Sequence, residues 1–201
     1  MKLYYSPGAC SLAPHILLRE AGLAFELEKV DLKTKRTASG EDFLRINPRG
    51  YVPALKLDDG GVLTEVAVIS QYLADLAPAA HLLPASGLAR YRALEWLSFI
   101  ATEIHKGFGP LWNPAMPEEA KRLARARLED RFAHVNQALQ SVPYLPGPAF
   151  SAPDAYLFVM LNWARLQKID LAPWPALAEY QTRTATRPSV HAALEAEGLL
   201  Q

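Results

Sequence analysis

Apolar and polar positions change rhythm twice along the chain. Lys2 to Ser6 is a short, largely apolar run ended by Pro7-Gly8, and it predicts a strand closed by a turn. Ser11 to Ala21 then spaces its apolar residues as a helix does, up to Gly22. Phe25 to Val30 alternates apolar and charged residues, the pattern of a half-buried strand. A polar stretch, Lys33 to Gly40, leads into a short helix near Glu41 to Ile46, a turn at Asn47-Pro48-Arg49-Gly50 and a strand from Val52 to Leu57. Asp58-Asp59-Gly60-Gly61 predicts a hairpin into Val62 and Leu63, and Thr64 is placed to cap a helix running to about Leu76. That order of strands and helices predicts a compact α/β domain, a mixed sheet with helices on its faces, over residues 1–78.

Residues 79–86, in a stretch rich in proline, alanine and serine, read as a linker. From Gly87 to the end only helical periodicity remains, near 87–108, 117–141, 153–168, 174–186 and 188–196, with Pro117, Pro153 and Pro188 at helix starts. The expected architecture is therefore α/β followed by an all-α domain over 87–201.

Composition narrows the function classes. Lysine plus arginine and aspartate plus glutamate number 21 each, which gives no net pull towards nucleic acid or an anionic membrane. The basic cluster Lys121, Arg122, Arg125, Arg127 and Arg131 has helical spacing with Glu129 and Asp130 interspersed, and reads as a solvated face. The N-terminus has no apolar core of a signal peptide, and no apolar run approaches the ~20 residues of a membrane span, so the expected location is the cytoplasm. His15, His81, His134 and His191 have no companions at ligand spacing, and no metal site is expected.

Cys10 is the single cysteine, and it follows a strand and a Pro-Gly turn at the start of a helix, where the helix dipole and backbone N–H groups favour a thiolate. A packing role is the alternative for an isolated cysteine; its position at a strand-to-helix turn favours chemistry. Val52-Pro53 could hold a cis peptide that leaves the valine backbone free for an extended ligand. Thr64-Glu65 is open between helix capping and binding of a carboxylate and an ammonium group. His105 is open between a core or helix-end role and catalysis. Tyr5, Phe108, Trp112 and Trp163 could line an apolar pocket or simply pack. Ser151-Ala152-Pro153-Asp154 reads as a structural capping box.

Together these features resemble the bacterial beta-class glutathione S-transferases. The resemblance is carried by Met1-Lys2-Leu3-Tyr4-Tyr5-Ser6-Pro7-Gly8-Ala9-Cys10-Ser11, by Ile46-Asn47-Pro48-Arg49-Gly50-Tyr51-Val52-Pro53, by Leu63-Thr64-Glu65, by His105-Lys106-Gly107-Phe108 and by Ser151-Ala152-Pro153-Asp154-Ala155-Tyr156, and it covers the whole chain. It implies a thioredoxin-like N-terminal domain and a helical C-terminal domain in a homodimer. It also implies reduced glutathione as co-substrate and a small hydrophobic electrophile or disulfide as its partner.

Residue roles follow from the same resemblance. Cys10 would lie beside the glutathione sulfur and form a mixed disulfide, His105 would support the thiol chemistry, and Tyr5 would be a lesser participant. Lys35, Val52 and Pro53 would hold the peptide, and Glu65 with the amide of Val66 its γ-glutamyl end. Phe108, Trp112 and Trp163 would face the hydrophobic co-substrate. Two positions depart from the family pattern: Val66 replaces a frequent serine and Ser98 a frequent asparagine. The other readings are a non-catalytic ligand or protein binder on the same fold, and a glutathione-dependent isomerase or dehalogenase.

Overall fold

The computed structural model describes residues 1–200. Contacts divide the chain into two compact units, Met1–Leu83 with the segment from Arg187 onward, and Pro84–Thr186.

In the first unit, β1 (Lys2–Tyr5), β2 (Glu26–Asp31), β3 (Arg36–Thr37), β4 (Ala54–Lys56) and β5 (Val62–Thr64) form one sheet in the order β3-β2-β1-β4-β5. β1 pairs parallel to β2, with Leu3 opposite Leu27, and antiparallel to β4, with Leu3 opposite Leu55. Leu3, Tyr4 and Tyr5 are all buried, because a central strand is covered on both faces. Tyr4, Val30, Phe43, Val52 and Ala54 form one apolar cluster. β3 falls in the stretch expected to be a polar loop. Its signal is only two residues long, and its buried Thr37 is fixed by the Glu41 N–H donating to its hydroxyl at 2.9 Å. The expected helix near Glu41 to Ile46 is a single 3-10 turn, Phe43–Arg45.

Three helices complete this unit: α1 (Leu12–Glu20), α2 (Val66–Leu76) and α8 (Pro188–Ala196). α1 packs against both α2 and α8, and buries seven consecutive residues from Leu12 to Leu18. The last helix therefore groups with the α/β unit, not with the helical domain of 87–201 that periodicity suggests. Periodicity shows that α8 has an apolar face, with Val190 and Ala193 buried, but not which distant helix covers it. Glu20 at the end of α1 fixes the pairing by accepting from Arg187 and Ser189.

The second unit contains α3 (Gly87–Phe99), α4 (Gly109–Trp112), α5 (Glu118–Leu139), α6 (Ala152–Leu166) and α7 (Pro175–Ala185). α6 touches α3 and α7, and its residues Ala152 to Leu161 are all buried, as expected of a helix that is apolar on every side. The single helix expected over 87–108 is broken: after Phe99 the chain widens into a π-helical segment, Ile100–His105, and tightens into a 3-10 turn, Lys106–Phe108. Gly107 lets α5 approach this turn, since a Cβ there would stand 2.8 Å from Leu128 Cδ2.

Candidate active site

In the first unit the chain leaves β1 at Tyr5 and turns through Ser6 to Ala9, the Ala9 N–H donating to the Ser6 carbonyl at 3.0 Å. Ser11, fully buried, closes the turn from the other side: its hydroxyl accepts from the Ser6 N–H at 3.2 Å and lies 3.3 Å from the Ser6 carbonyl. Cys10 thus stands just ahead of α1 and not within it. The residue is 8% exposed, and its thiol donates to the Val52 carbonyl at 3.3 Å. Val52-Pro53 is a cis peptide, and β4 begins immediately after it. The turn of β1 and the entry to β4 meet at the sulfur because these strands are sheet neighbours.

Around this corner the expected ligand-binding residues take defined places. The Lys35 ammonium donates to the Gly50 carbonyl at 2.9 Å and lies 5.7 Å from the centre of the exposed Tyr51 ring. Asn47 orders the same loop by donating to the Tyr51 carbonyl at 2.7 Å. Glu65 has φ 71° and ψ 123°, a left-handed backbone that a non-glycine residue adopts at a cost of ~1–3 kcal/mol. Its carboxylate pairs with Arg49 at 3.0 Å, both side chains largely exposed. Helix α2 starts at Val66 with Glu65 as its cap residue, and neither Thr64, which is the end of β5, nor Glu65 makes a side-chain cap bond. Side-chain capping therefore does not account for the Thr64-Glu65 pair.

Tyr5 is buried beside the turn, its ring 6.2 Å from that of His15. Burial raises its hydroxyl above the ordinary value, and the Glu197 and Glu28 carboxylates raise it further. Tyr5 is accordingly a hydrogen-bond donor near neutral pH, not a phenolate.

In the second unit, three of the singled-out residues gather around a fourth, Trp163. His105 packs edge-on to it at 5.0 Å, Phe108 at 5.7 Å and Trp112 at 5.6 Å. His105 Nδ1 lies 2.5 Å from the Tyr156 hydroxyl. Burial, with a smaller push from Lys106, lowers the imidazole to about 4, so it is neutral at physiological pH. Phe108 is fully buried and belongs to the core, whereas Trp112 is 45% exposed. Ser98 is exposed on α3, and its carbonyl accepts from the Thr102 hydroxyl at 3.0 Å. One open cleft of about 500 Å³ in this unit is bordered by Thr102, Lys106, Pro110, Leu123 and Arg127.

Residues 8–76 match the family model for the glutathione S-transferase N-terminal domain. Over 200 residues the chain is 51% identical to glutathione S-transferase GstA of Escherichia coli O157:H7, covering 99% of this chain and all of that one. The chain belongs to the glutathione S-transferase family. A solved sphingomonad glutathione S-transferase complexed with glutathione superimposes with a TM-score of 0.96 at 52% identity, and the bacterial beta-class enzyme of Sphingomonas chungbukensis with 0.96 at 49%, each covering 100% of both chains. The bacterial beta class follows from these likenesses.

Within this transferase, sequence reasoning missed three residues behind the thiol turn: Ser11, His15 and Glu197. Ser11 has a weak signal, a small polar residue directly after Cys10. His15 and Glu197 have none, because they meet only through the pairing of α1 with α8.

Proposed function

We propose that this transferase binds reduced glutathione in the unit built on Met1–Leu83 and uses it in two reactions. In conjugation, the glutathione thiol loses its proton and the thiolate attacks an electrophilic carbon of a small hydrophobic molecule, the leaving group departing with the bonding pair. In reduction, the Cys10 thiolate attacks the glutathione sulfur of a mixed disulfide, and the displaced thiolate takes up a proton. A second glutathione thiolate then attacks the Cys10 mixed disulfide, releasing oxidised glutathione and regenerating Cys10.

The observation that carries this reading is the Cys10 thiol at 3.3 Å from the Val52 carbonyl, at the cis-proline corner. A reactive sulfur adjoins a backbone edge that can pair with a peptide. Val52 and Pro53 would align the cysteinyl part of glutathione, Lys35 would attract a carboxylate, and Glu65 with the Val66 amide would hold the γ-glutamyl end. Ser98 supplies a hydroxyl where the family often has an amide. His105, neutral in its pocket, would act through a hydrogen bond and not as a cation. Trp112 and Trp163 would contact the hydrophobic co-substrate, with Phe108 as their support.

A homodimer would cover exposed apolar side chains in each unit, Tyr51 and Val68 in the first, Leu88 and Tyr91 in the second. The lone thiol suits a reducing cytoplasm. Intact mass after incubation with oxidised glutathione, together with retention on immobilised glutathione, tests the reading in the wild type and Cys10→Ala. A reversible glutathione adduct that disappears in the variant, with retention preserved, is the expected result. Neither adduct nor retention in the wild type would leave a non-catalytic binder on this fold.

A further inference from the structure

Two buried side chains, His15 and Glu197, meet behind the thiol turn. The Glu197 carboxylate accepts from the Gly8 backbone N–H at 2.9 Å through Oε2 and bonds His15 Nδ1 at 2.8 Å through Oε1. The side chains of His15 and Glu197 are both fully withdrawn from solvent. Arg19 Nε, which always carries a hydrogen, donates to His15 Nε2 at 2.9 Å. His15 therefore keeps its own hydrogen on Nδ1, aimed at Glu197. At position 197 the site demands a group that accepts twice and donates to neither neighbour, which is what a carboxylate does.

The carboxylate is also held in place. Glu197 ends α8, and Gly198 follows in the left-handed region at φ 71°, where glycine carries no Cβ penalty. The Gly198 N–H donates to the Glu195 carbonyl and the Leu199 N–H to the Leu194 carbonyl, each at 2.9 Å, the paired bonds of a Schellman end. The same end brings Leu199 Cδ2 to 3.7 Å from where a Cβ on Gly8 would stand. Gly8 is thus gripped by a carboxylate and by an apolar side chain from the far end of the sequence.

We propose that Glu197 is a positioning residue for Cys10: through Gly8 it sets where the thiol stands against the Val52 carbonyl. This rests on Cys10 being the reacting thiol. Gly8 is two residues before Cys10, and the Ser6–Ser11 bonds tie the remainder of the turn, so movement at Gly8 passes into Ala9 and the sulfur. Tyr5 from β1, His15 and Arg19 from α1 and Glu197 at the end of α8 are the charged and titratable groups around the turn, and the Glu28 carboxylate of β2 acts on Tyr5 from further off.

Glu197→Gln tests the demand for two acceptors. Its amide must aim N–H at either the Gly8 N–H or the His15 Nδ1–H. His15 cannot change tautomer without facing the Arg19 donor. Adding Arg19→Met, which keeps an apolar stem and removes the donor, lets His15 change tautomer and accept from the amide. The readout is the pH dependence of Cys10 alkylation by iodoacetamide in the full chain, followed by the rate of adduct formation with oxidised glutathione. Alkylation needs no glutathione, so a failure of the glutathione reading leaves this test intact.

In Glu197→Gln the alkylation midpoint should move by about half a pH unit or more and adduct formation slow about tenfold. Glu197→Gln/Arg19→Met should return to within about threefold of the wild-type rate, and Arg19→Met alone should stay there. A Gln variant that merely unfolds more easily while keeping the wild-type alkylation profile would overturn the proposal. So would a double variant no better than the single one. Glu197→Asp keeps both acceptors on a shorter arm and gives a second measurement should the Gln variant not fold: a displaced profile supports positioning, and an unmoved one refutes it.

Discussion

Asp154 makes the stability of the helical unit depend on pH in a direction opposite to that of most carboxylates. It lies in the first turn of α6, fully buried. Oδ1 accepts from the Leu145 N–H at 2.8 Å and lies 3.1 Å from the Tyr180 hydroxyl; Oδ2 accepts from the Ser151 N–H at 2.8 Å. The Ser151 hydroxyl has one hydrogen but faces two acceptors, the Leu145 carbonyl and Asp154 Oδ2, the latter at 2.7 Å. A proton on Asp154 lets the serine bond the carbonyl while the acid donates to the serine. Burial accordingly raises the carboxyl from 3.8 to about 7, with the surrounding hydrogen bonds pulling the other way. Between those values the folded chain holds a proton that the unfolded chain has lost. The resulting stabilisation is complete below about pH 4, disappears as pH rises through about 7, and amounts to about 4 kcal/mol.

His105 slopes the other way. Its folded value of about 4 lies below the ordinary 6.5, so stability present above 6.5 is lost as pH falls towards 4, by about 3 kcal/mol. The two contributions nearly cancel between pH 4 and 6.5 in the wild type. Asp154→Asn, which cannot titrate, should expose the His105 loss. All four tryptophans, Trp96, Trp112, Trp163 and Trp174, lie in the unit that contains Asp154, so urea unfolding followed by tryptophan fluorescence reports on it directly. The stability difference between wild type and Asp154→Asn should shrink by about 4 kcal/mol from pH 4 to pH 8. Parallel curves, with a difference constant to within about 1 kcal/mol, would refute a protonated Asp154.

Two further substitutions probe the site and its support. Tyr5→Phe should lower turnover by up to about tenfold yet leave the midpoint of the pH–rate profile between pH 6 and 9 unmoved, since the hydroxyl stays protonated there; a shifted midpoint would make Tyr5 the titrating group. Gly107→Ala places a Cβ 2.8 Å from buried Leu128 and should cost about 1–3 kcal/mol in urea unfolding, and an unchanged midpoint would show that α5 can retreat from the Lys106–Phe108 turn.

Much of the site was legible because its parts are local. Cys10 after Pro7-Gly8 announces a strand-to-helix turn, and Val52-Pro53 marks a corner that the structure shows to be cis. Ser151 to Asp154 spells its capping box in four residues, and the box forms. Less was legible where one stretch could be satisfied in several ways. The segment 100–108 has helical spacing throughout, yet its backbone widens and then tightens before α4, where Gly107 passes close to Leu128 of α5. His105 has the same sequence whether it faces water or Trp163, and only burial in the latter setting lowers its imidazole to about 4.

By itself the sequence determined the order of strands and helices, the division between α/β and helical patterning, and the identity of the thiol and of the turn that presents it. These depend on residue spacing, on proline and glycine, and on apolar periodicity, all of which act within a few residues. Only the tertiary structure decided that α8 packs on α1, that Glu197 reaches Gly8 and His15, and that burial raises the Asp154 carboxyl and lowers the His105 imidazole from their ordinary values. Those outcomes come from pairing across long stretches of chain and from exclusion of water, which neighbouring residues cannot encode.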